Sequence, residues 1–258
     1  MVKNVYSFIT VRTNSSRLPS KCLLKFGKIN VLTHLIRRAK KFKITPIVCT
    51  TRKKSDDIIE KISRSEKINF FRGSEKNKIK RWYDCSKKFN IKYFHTIDAD
   101  DPFFDPISVK KSINLCKKGS DIVKPSKISK SGGASEGWSF NNKAITAVYK
   151  YLLKYKKNID NFDTEMIEPF LKQKSLKKIT LKGQKYELKN ARLTLDYKED
   201  YQLLVKIVQN KGNFASRKAI NNFLRKNKNL LKINFKKQAA WKKKQDNFKV
   251  PTMRKNNA

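Results

Sequence analysis

A chain of 258 residues with 38% apolar content, 16 Phe and 9 Tyr has the material for a sizeable α/β core, which excludes disorder over most of its length. No apolar run approaches the roughly 18 residues that a membrane span needs. Its 62 Lys and Arg against 21 Asp and Glu give a formal net charge of +41. The excess is lysine spread through every segment. Together with the abundant Asn, Ile and Phe it is what an A/T-rich genome encodes, so charge alone does not assign a nucleic-acid partner.

In chain order, VYSFITV (5–11) is β-branched and aromatic and predicts a buried strand. The polar loop VRTNSSRLPSK follows, then a helix over 29–42 with Val31, Leu32, Leu35, Ile36 and Ala39 at helical spacing. TPIVCTT (45–51) predicts a second strand, and 54–62 a helix with Ser55 as N-cap and acids in its first turn. A short strand over 68–74, a helix over 78–89, a strand from 91 running into the loop DADDPFFDP, and a helix over 107–117 come next. Beyond these the pattern is less regular. A strand is expected at 120–126, a Gly-rich loop at 131–140, a helix at 142–155, and a helix at 163–173 capped by Asp163 or Thr164. Two strands are expected in LKKITLKG and QKYELKNARLTL, then a helix at 196–210 and a basic helical tail from 216. Repeated β–α units with short connections imply a mostly parallel sheet with helices on both faces, whose ligand loops leave the carboxyl ends of the strands.

The N-terminal MVKNVYSFIT has no signal-peptide pattern. Cys22, Cys49, Cys85 and Cys116 are widely spaced, without a CxxC pair and with only two His beside them. They are expected to be reduced thiols in a cytoplasmic protein.

Three stretches carry candidate chemistry. In the first loop Arg12, Arg17 and Lys21 gather around a turn in which Ser15, Ser16 and backbone amides can donate to anionic oxygens. This is a polyphosphate cradle by composition, though without the GxxxxGK[ST] of a Walker A loop. A solvated basic turn is the plainer alternative. Against the lysine background the arginines stand out, because a guanidinium recognises phosphate in a planar, bidentate way; Arg12, Arg17 and Arg192 fall in or beside these stretches, and Arg72 and Arg81 in FFRGSEKNKIKRW.

Next, TIDADDPFFDP puts Asp98, Asp100, Asp101 and Asp105 at a strand end in an acid-poor chain. Alternation would give Asp98 and Asp100 one face. Carboxylates opposite a phosphate cradle suit a Mg²⁺–nucleotide site, whereas Asp101 and Asp105 precede prolines and are also explained as turn residues. In ARLTLDYKEDYQLL, Asp196 is expected to end a strand, as a second metal ligand would, with Glu199 and Asp200 complementing a helix N-terminus. The middle of the chain offers the carboxylates Glu136, Asp163 and Glu165 and the indole of Trp138, groups that commonly meet a sugar's hydroxyls and apolar face, with core packing as the alternative for Trp138.

Taken in order and spacing, FITVRTNSSRLPSKCLLKF, FFRGSEKNKIKRW, TIDADDPFFDP and ARLTLDYKEDYQLL resemble the cytidylyltransferases that make CMP-sugars. The 3-deoxy-manno-octulosonate and acylneuraminate types are similar, and the spore-coat polysaccharide type is nearest. The resemblance implies a Rossmann-like nucleotide-diphospho-sugar transferase (GT-A-like) α/β fold. It also implies a nucleotidyltransferase domain over 1–215, with the acceptor site and a dimerisation region at about 125–190, and a basic helical extension over 216–258.

By position, the resemblance implies that Arg12, Ser16, Arg17 and Lys21 hold the triphosphate of CTP, with Ser15 beside them. Asp100 and Asp196 would bind Mg²⁺, Arg72 or Arg81 would reach the nucleoside, and Arg12, Lys21 and Asp100 would act in catalysis. The expected activity is transfer of CMP to a sugar acid or related small acceptor, with release of pyrophosphate, for cell-surface polysaccharide or glycan synthesis by a homodimer. The chain departs from the family at Asn14, Ser20 and Ala99, where glycine is common. The competing readings are a basic nucleic-acid-binding protein, against which the acid clusters argue, and a catalytically degenerate transferase homologue.

Overall fold

The VYSFIT run forms β1 (Tyr6–Thr10), and its two-residue period sends Phe8 into one apolar layer and Ile9 into the other. The computed structural model describes residues 4–126, 136–154, 159–160 and 162–246. β2 (Lys25–Phe26) and β3 (Ile29–Asn30) make a small separate hairpin. β4 (Thr45–Thr51) and β6 (Tyr93–Asp98) flank β1 in parallel, with Ile9 opposite Val48 and Ile97, and β5 (Asn69–Gly73) extends the edge beyond β4. β7 (Ile122–Lys124), β8 (Ser139–Asn141) and β9 (Lys178–Thr180) complete a seven-stranded sheet of order β5-β4-β1-β6-β8-β7-β9. β8 runs antiparallel to both its neighbours.

Helices cover both faces, as expected. On one side α1 (Val31–Lys41), α2 (Asp57–Ser65), α6 (Lys198–Lys211) and α7 (Arg217–Lys226) bury Leu35, Ile59, Leu204 and Ile220 with Ile9 and Val48. On the other, α3 (Lys78–Lys88) and α5 (Asn142–Leu153) bury Trp82 and Val148 with Phe8 and Ile47. α4 (Pro106–Lys117) follows β6, with Asp105 as its N-cap accepting from the N–H groups of Ile107 and Ser108, so Asp105 has the turn role its proline predicts. The short α8 (Lys228–Leu231) and α9 (Lys237–Asp246) end the described chain. Ile220, Leu224 and Leu231 are buried in the same apolar cluster as β1 and α1. No helix among the described residues is long and apolar enough to cross a membrane, and the four cysteines are buried and unbridged.

Several expected elements differ. The helix expected from 29 starts at Val31, because Asn30 caps it by accepting from Thr33 N. Ser55 is not an N-cap: it sits inside a 3-10 turn, and the Asp56 carboxylate beside it accepts from Thr13 N at 2.8 Å instead. Residues 163–173 form no helix beyond a 3-10 turn at Glu168–Phe170. Pro169 has no N–H to give a helix interior, and Thr164 Oγ1 is taken up by Asn77 and Ile79 N. QKYELKNARLTL forms no strand. It runs as turns and irregular chain, joined to the site by Leu195 N donating to Asp100 O at 2.7 Å, so Asp196 does not end a strand.

Within the expected Gly-rich loop, residues 131–135 lie outside the described chain, as do Tyr155 at the end of the helix expected at 142–155 and the tail from 247. The remainder of that loop supplies β8. Gly137 makes this possible, since a Cβ there would lie 1.5 Å from Thr96 O on β6.

Candidate functional site

The carboxyl ends of β1 and β6 open into a cavity of about 660 Å³, lined by the first loop, the β6 end, the start of α3 and residues 163–166. The loop is pinned from behind. Asp56 accepts from both Thr13 N and Thr13 Oγ1 and from Thr51 Oγ1, which ties the Arg12–Asn14 backbone to the end of β4. Ser20 N donates to Thr13 O at 3.1 Å and closes the turn.

Ser20 itself sits at φ 50°, ψ 28°, in the left-handed region that favours glycine. That conformation disfavours a non-glycine residue by about 1–2 kcal/mol, while glycine gives back about 0.4–1 kcal/mol through the unfolded chain. Ser20→Gly is therefore expected to stabilise by roughly 0.5–1 kcal/mol. A thermal melt should show a Tm about 1–4 °C higher, and a lower Tm would contradict this.

The β6 end is held just as firmly, by three consecutive carbonyls of its loop. His34 Nε2 meets Pro102 O at 2.7 Å, Arg217 Nη1 donates to Phe103 O at 2.7 Å, and Arg38 Nε donates to Phe104 O at 3.2 Å. All three donor side chains are buried. His34 is pushed down to about 3 by burial, so it stays neutral. Asp100 therefore projects from a fixed backbone.

Two charge clusters face the cavity. In the first, Lys21 Nζ lies 3.1 Å from Asp100 Oδ2 and 3.0 Å from Asp196 Oδ1, and Arg17 Nη2 donates to Asp196 Oδ1 at 2.6 Å. Behind it, Arg192 Nη2 donates to Asp196 Oδ2 at 3.1 Å. Burial pushes the Asp196 carboxyl up, but Lys21 and Arg17 outweigh it and hold it down at about 2. Asp100 goes the other way. Burial raises it, with Lys21 only partly offsetting this and the neighbouring Asp196 and Asp98 adding to the rise. Burial would lower Lys21, but Asp100 and Asp196 raise it overall.

In the second cluster Lys78 Nζ sits 3.2 Å from Asp98 Oδ1 and 3.2 Å from Glu165 Oε1, with Arg12 Nη2 3.5 Å from Glu165 Oε2. Lys78, followed by Arg12, holds Glu165 down at about 2 against the effect of burial.

The two acids of the first cluster converge on a single cation, and both are hard oxygen donors. Among the described residues no group of three or more His, Cys, Asp or Glu is placed to hold a metal. The protein thus offers a pair, which is the number Mg²⁺ commonly takes from a protein when phosphates and water complete its shell. A dication there would also offset the burial, and the repulsion from Asp196 and Asp98, that raise Asp100.

Of the residues the sequence singled out, Arg12, Ser15, Ser16, Arg17, Lys21, Arg81, Asp100, Asp163 and Glu165 line the cavity, and Asp196 reaches it through Lys21 and Arg17. Arg72, Glu136 and Trp138 lie elsewhere. Arg72 Nη1 pairs with Asp57 at 2.7 Å and Glu60 at 3.1 Å on α2. Glu136 Oε2 accepts from Ser126 N at 2.7 Å. Trp138 packs against the α3–α5 layer, with its backbone N–H donating to Thr96 Oγ1 at 2.9 Å. Arg81 is 2% exposed and donates to Ser74 O at 2.7 Å, while its Nε has no hydrogen-bond partner.

Sequence reasoning missed Lys78. A signal existed: it is the first residue of a helix capped by Asn77, where the macrodipole disfavours a cation, so its place there needed a tertiary cause.

The family profile described as cytidylyltransferase matches residues 7–248. An uncharacterised protein of Methanocaldococcus jannaschii is 31% identical over 238 residues, covering 89% of this chain and 94% of its own. The spore coat polysaccharide biosynthesis protein SpsF of Bacillus subtilis is 27% identical over 111 residues, covering 41% of this chain and 46% of its own. Among solved structures, a cytidylyltransferase from Leptospira borgpetersenii superposes with a TM-score of 0.76 at 21% identity, over 90% of this chain and 97% of that one.

Proposed function

Since this chain belongs to the cytidylyltransferase family, we propose that it transfers CMP from CTP to a small hydroxyl-bearing acceptor, most simply a sugar acid, and releases pyrophosphate. The observation that carries this reading is the bridge from Lys21 to both Asp100 and Asp196 at the mouth of a parallel sheet. Such a bridge stores the cations that a triphosphate needs beside the carboxylates that its counter-ion needs.

On binding, Arg17 and Lys21 exchange carboxylate partners for phosphate oxygens, and Arg12 joins them from the cavity wall. Ser15 and Ser16 line the same loop. Asp100 and Asp196 Oδ1, released by that exchange, would hold Mg²⁺, which when bound polarises the α-phosphate and neutralises its charge. The acceptor oxygen then attacks the α-phosphorus in line, and the bond to the bridging oxygen breaks. Arg12, Arg17 and Lys21 stabilise the pyrophosphate as its charge develops. Glu165 and Asp163 on the opposite wall face the acceptor's hydroxyls, with Lys78 fixing Glu165. Buried Arg81, with its unpartnered Nε, takes the nucleoside side in preference to Arg72.

A cytoplasmic location accords with the unbridged cysteines. The partial likeness to a spore coat polysaccharide protein favours a role in cell-surface glycan synthesis. Assembly as a homodimer belongs to the same reading and is open to light scattering.

The test is pyrophosphate release with Mg²⁺, each of the four ribonucleotides being tried against a pool of sugar acids and small phosphorylated alcohols. Release with CTP, dependent on Mg²⁺ and on one acceptor, is the expected result. Release with another nucleotide while CTP is silent would overturn the cytidylyl assignment.

A further inference from the structure

Asp196 divides its two oxygens. Oδ1 faces Arg17 and Lys21 in the cavity, and Oδ2 is held from behind by Arg192. Arg192 is 3% exposed. Its Nε donates to Asp200 Oδ1 at 3.0 Å, and Asp200 Oδ2 accepts the N–H groups of Asp196 at 2.9 Å and Tyr197 at 3.0 Å. A closed frame of hydrogen bonds thus surrounds the back of Asp196.

The outer side of this frame is built by the C-terminal segment. Asn234, 2% exposed, donates from Nδ2 to Arg192 O at 2.9 Å and to Asp200 Oδ1 at 2.8 Å. Gln238 Oε1 accepts from Arg192 Nη1 at 3.0 Å, and the Trp241 ring centroid lies 5.7 Å from Arg192 Cζ. The α9 sequence KQAAWKKKQD has little apolar surface with which to dock, so packing alone does not explain its place. An amide and an indole converge instead on one guanidinium.

We propose that Asn234, Gln238 and Trp241 are positioning residues of the active site, acting through Arg192 on the orientation of Asp196. The inference rests on the nucleotidyl-transfer reading for its consequence, though not for its geometry. When triphosphate draws Arg17 and Lys21 away, Arg192 is the partner left to Asp196. Its hold on Oδ2 then turns Oδ1 toward the incoming nucleotide and its counter-ion.

The test uses the full chain with Asn234→Ala, Gln238→Ala, Trp241→Ala and the conservative Gln238→Glu, which keeps an acceptor for Arg192. Lys242→Ala, exposed on the same helix, is the control. The first readout needs no ligand: hydrogen exchange at the amides of Asp196 and Tyr197. It should quicken about tenfold or more in the three alanine variants and stay unchanged in Gln238→Glu and Lys242→Ala. The second is turnover: kcat should fall about 10- to 100-fold with the KM for CTP little altered, and Gln238→Glu should recover most of it. Unchanged exchange at both amides in Gln238→Ala and Trp241→Ala would overturn the inference, as would changed exchange with kcat at the wild-type value. If the wild type turns over no nucleotide, the transfer reading falls, while the exchange result still decides whether the segment positions Asp196.

Discussion

Asp100→Asn is expected to lower the rate of pyrophosphate release by at least about a hundredfold while leaving the melting temperature unchanged or raised. The two halves of this expectation have one cause. Asp100 is a carboxylate whose charged form the protein disfavours, through burial first and the nearby Asp196 and Asp98 next, with Lys21 compensating only in part. An amide of the same shape removes that repulsion, and Lys21 keeps its bond to Asp196. The backbone is fixed independently by the donors from His34, Arg38 and Arg217, so the loop has no reason to move. In the working site the same substitution removes one of the two oxygens that converge on the cation position, and an amide oxygen without charge replaces it poorly. Turnover and a thermal melt on the same preparation decide the matter. Retained turnover would remove Asp100 from the machinery. Lost turnover with a large fall in Tm would make it a structural residue.

How far this site was legible depended on where each residue's partners lie in the sequence. Strand and helix alternation through 117 was readable because periodicity is local, and Arg17, Lys21 and Asp100 were readable because ligand loops leave strand ends in a parallel sheet. β8 was missed because three residues are too few for a period, and its pairing depends on Gly137 pressing against Thr96. The helix expected at 163–173, with Asp163 or Thr164 as its cap, is overridden by Pro169 and by the tertiary bonds of Thr164.

Arg72 shows that alternation, applied one step further, corrects a motif. Phe70 packs against the α2 layer and Phe71 against the opposite one. Arg72 therefore faces α2, where Asp57 and Glu60 meet it. No such rule reaches Asp56, Lys78 or Arg192, since their partners are distant in sequence or chosen by tertiary packing. The scarcity of arginine was a sound guide to importance but not to role. Arg38, Arg192 and Arg217 are buried and bind the loops that carry Asp100 and Asp196, without lining the cavity.

Asp196→Asn should also lose turnover but, unlike Asp100→Asn, should lose stability with it. Asp196 is 1% exposed and serves three cations, Arg17, Lys21 and Arg192. Removing one partner of a buried ionic group costs about 3–5 kcal/mol. The lower end applies here, because Lys21 retains Asp100 and Arg192 retains Asp200.

The pH dependence separates this loss from a packing defect. The carboxyl is held at about 2 in the folded protein against roughly 3.9 in an unfolded chain. Its contribution is therefore fully present above the unfolded value and is lost as pH falls through the folded one. A shift of that size corresponds to about 2–3 kcal/mol. Urea unfolding of wild type and variant should show a gap of about 3 kcal/mol at pH 7 that persists to about pH 5 and closes largely by pH 2. Glu165, also held down at about 2 and present in both proteins, lowers the two curves together and leaves their difference to Asp196. A gap that stayed constant across that range would mean the amide had disturbed packing, and that the three cations do not depend on the charge of Asp196.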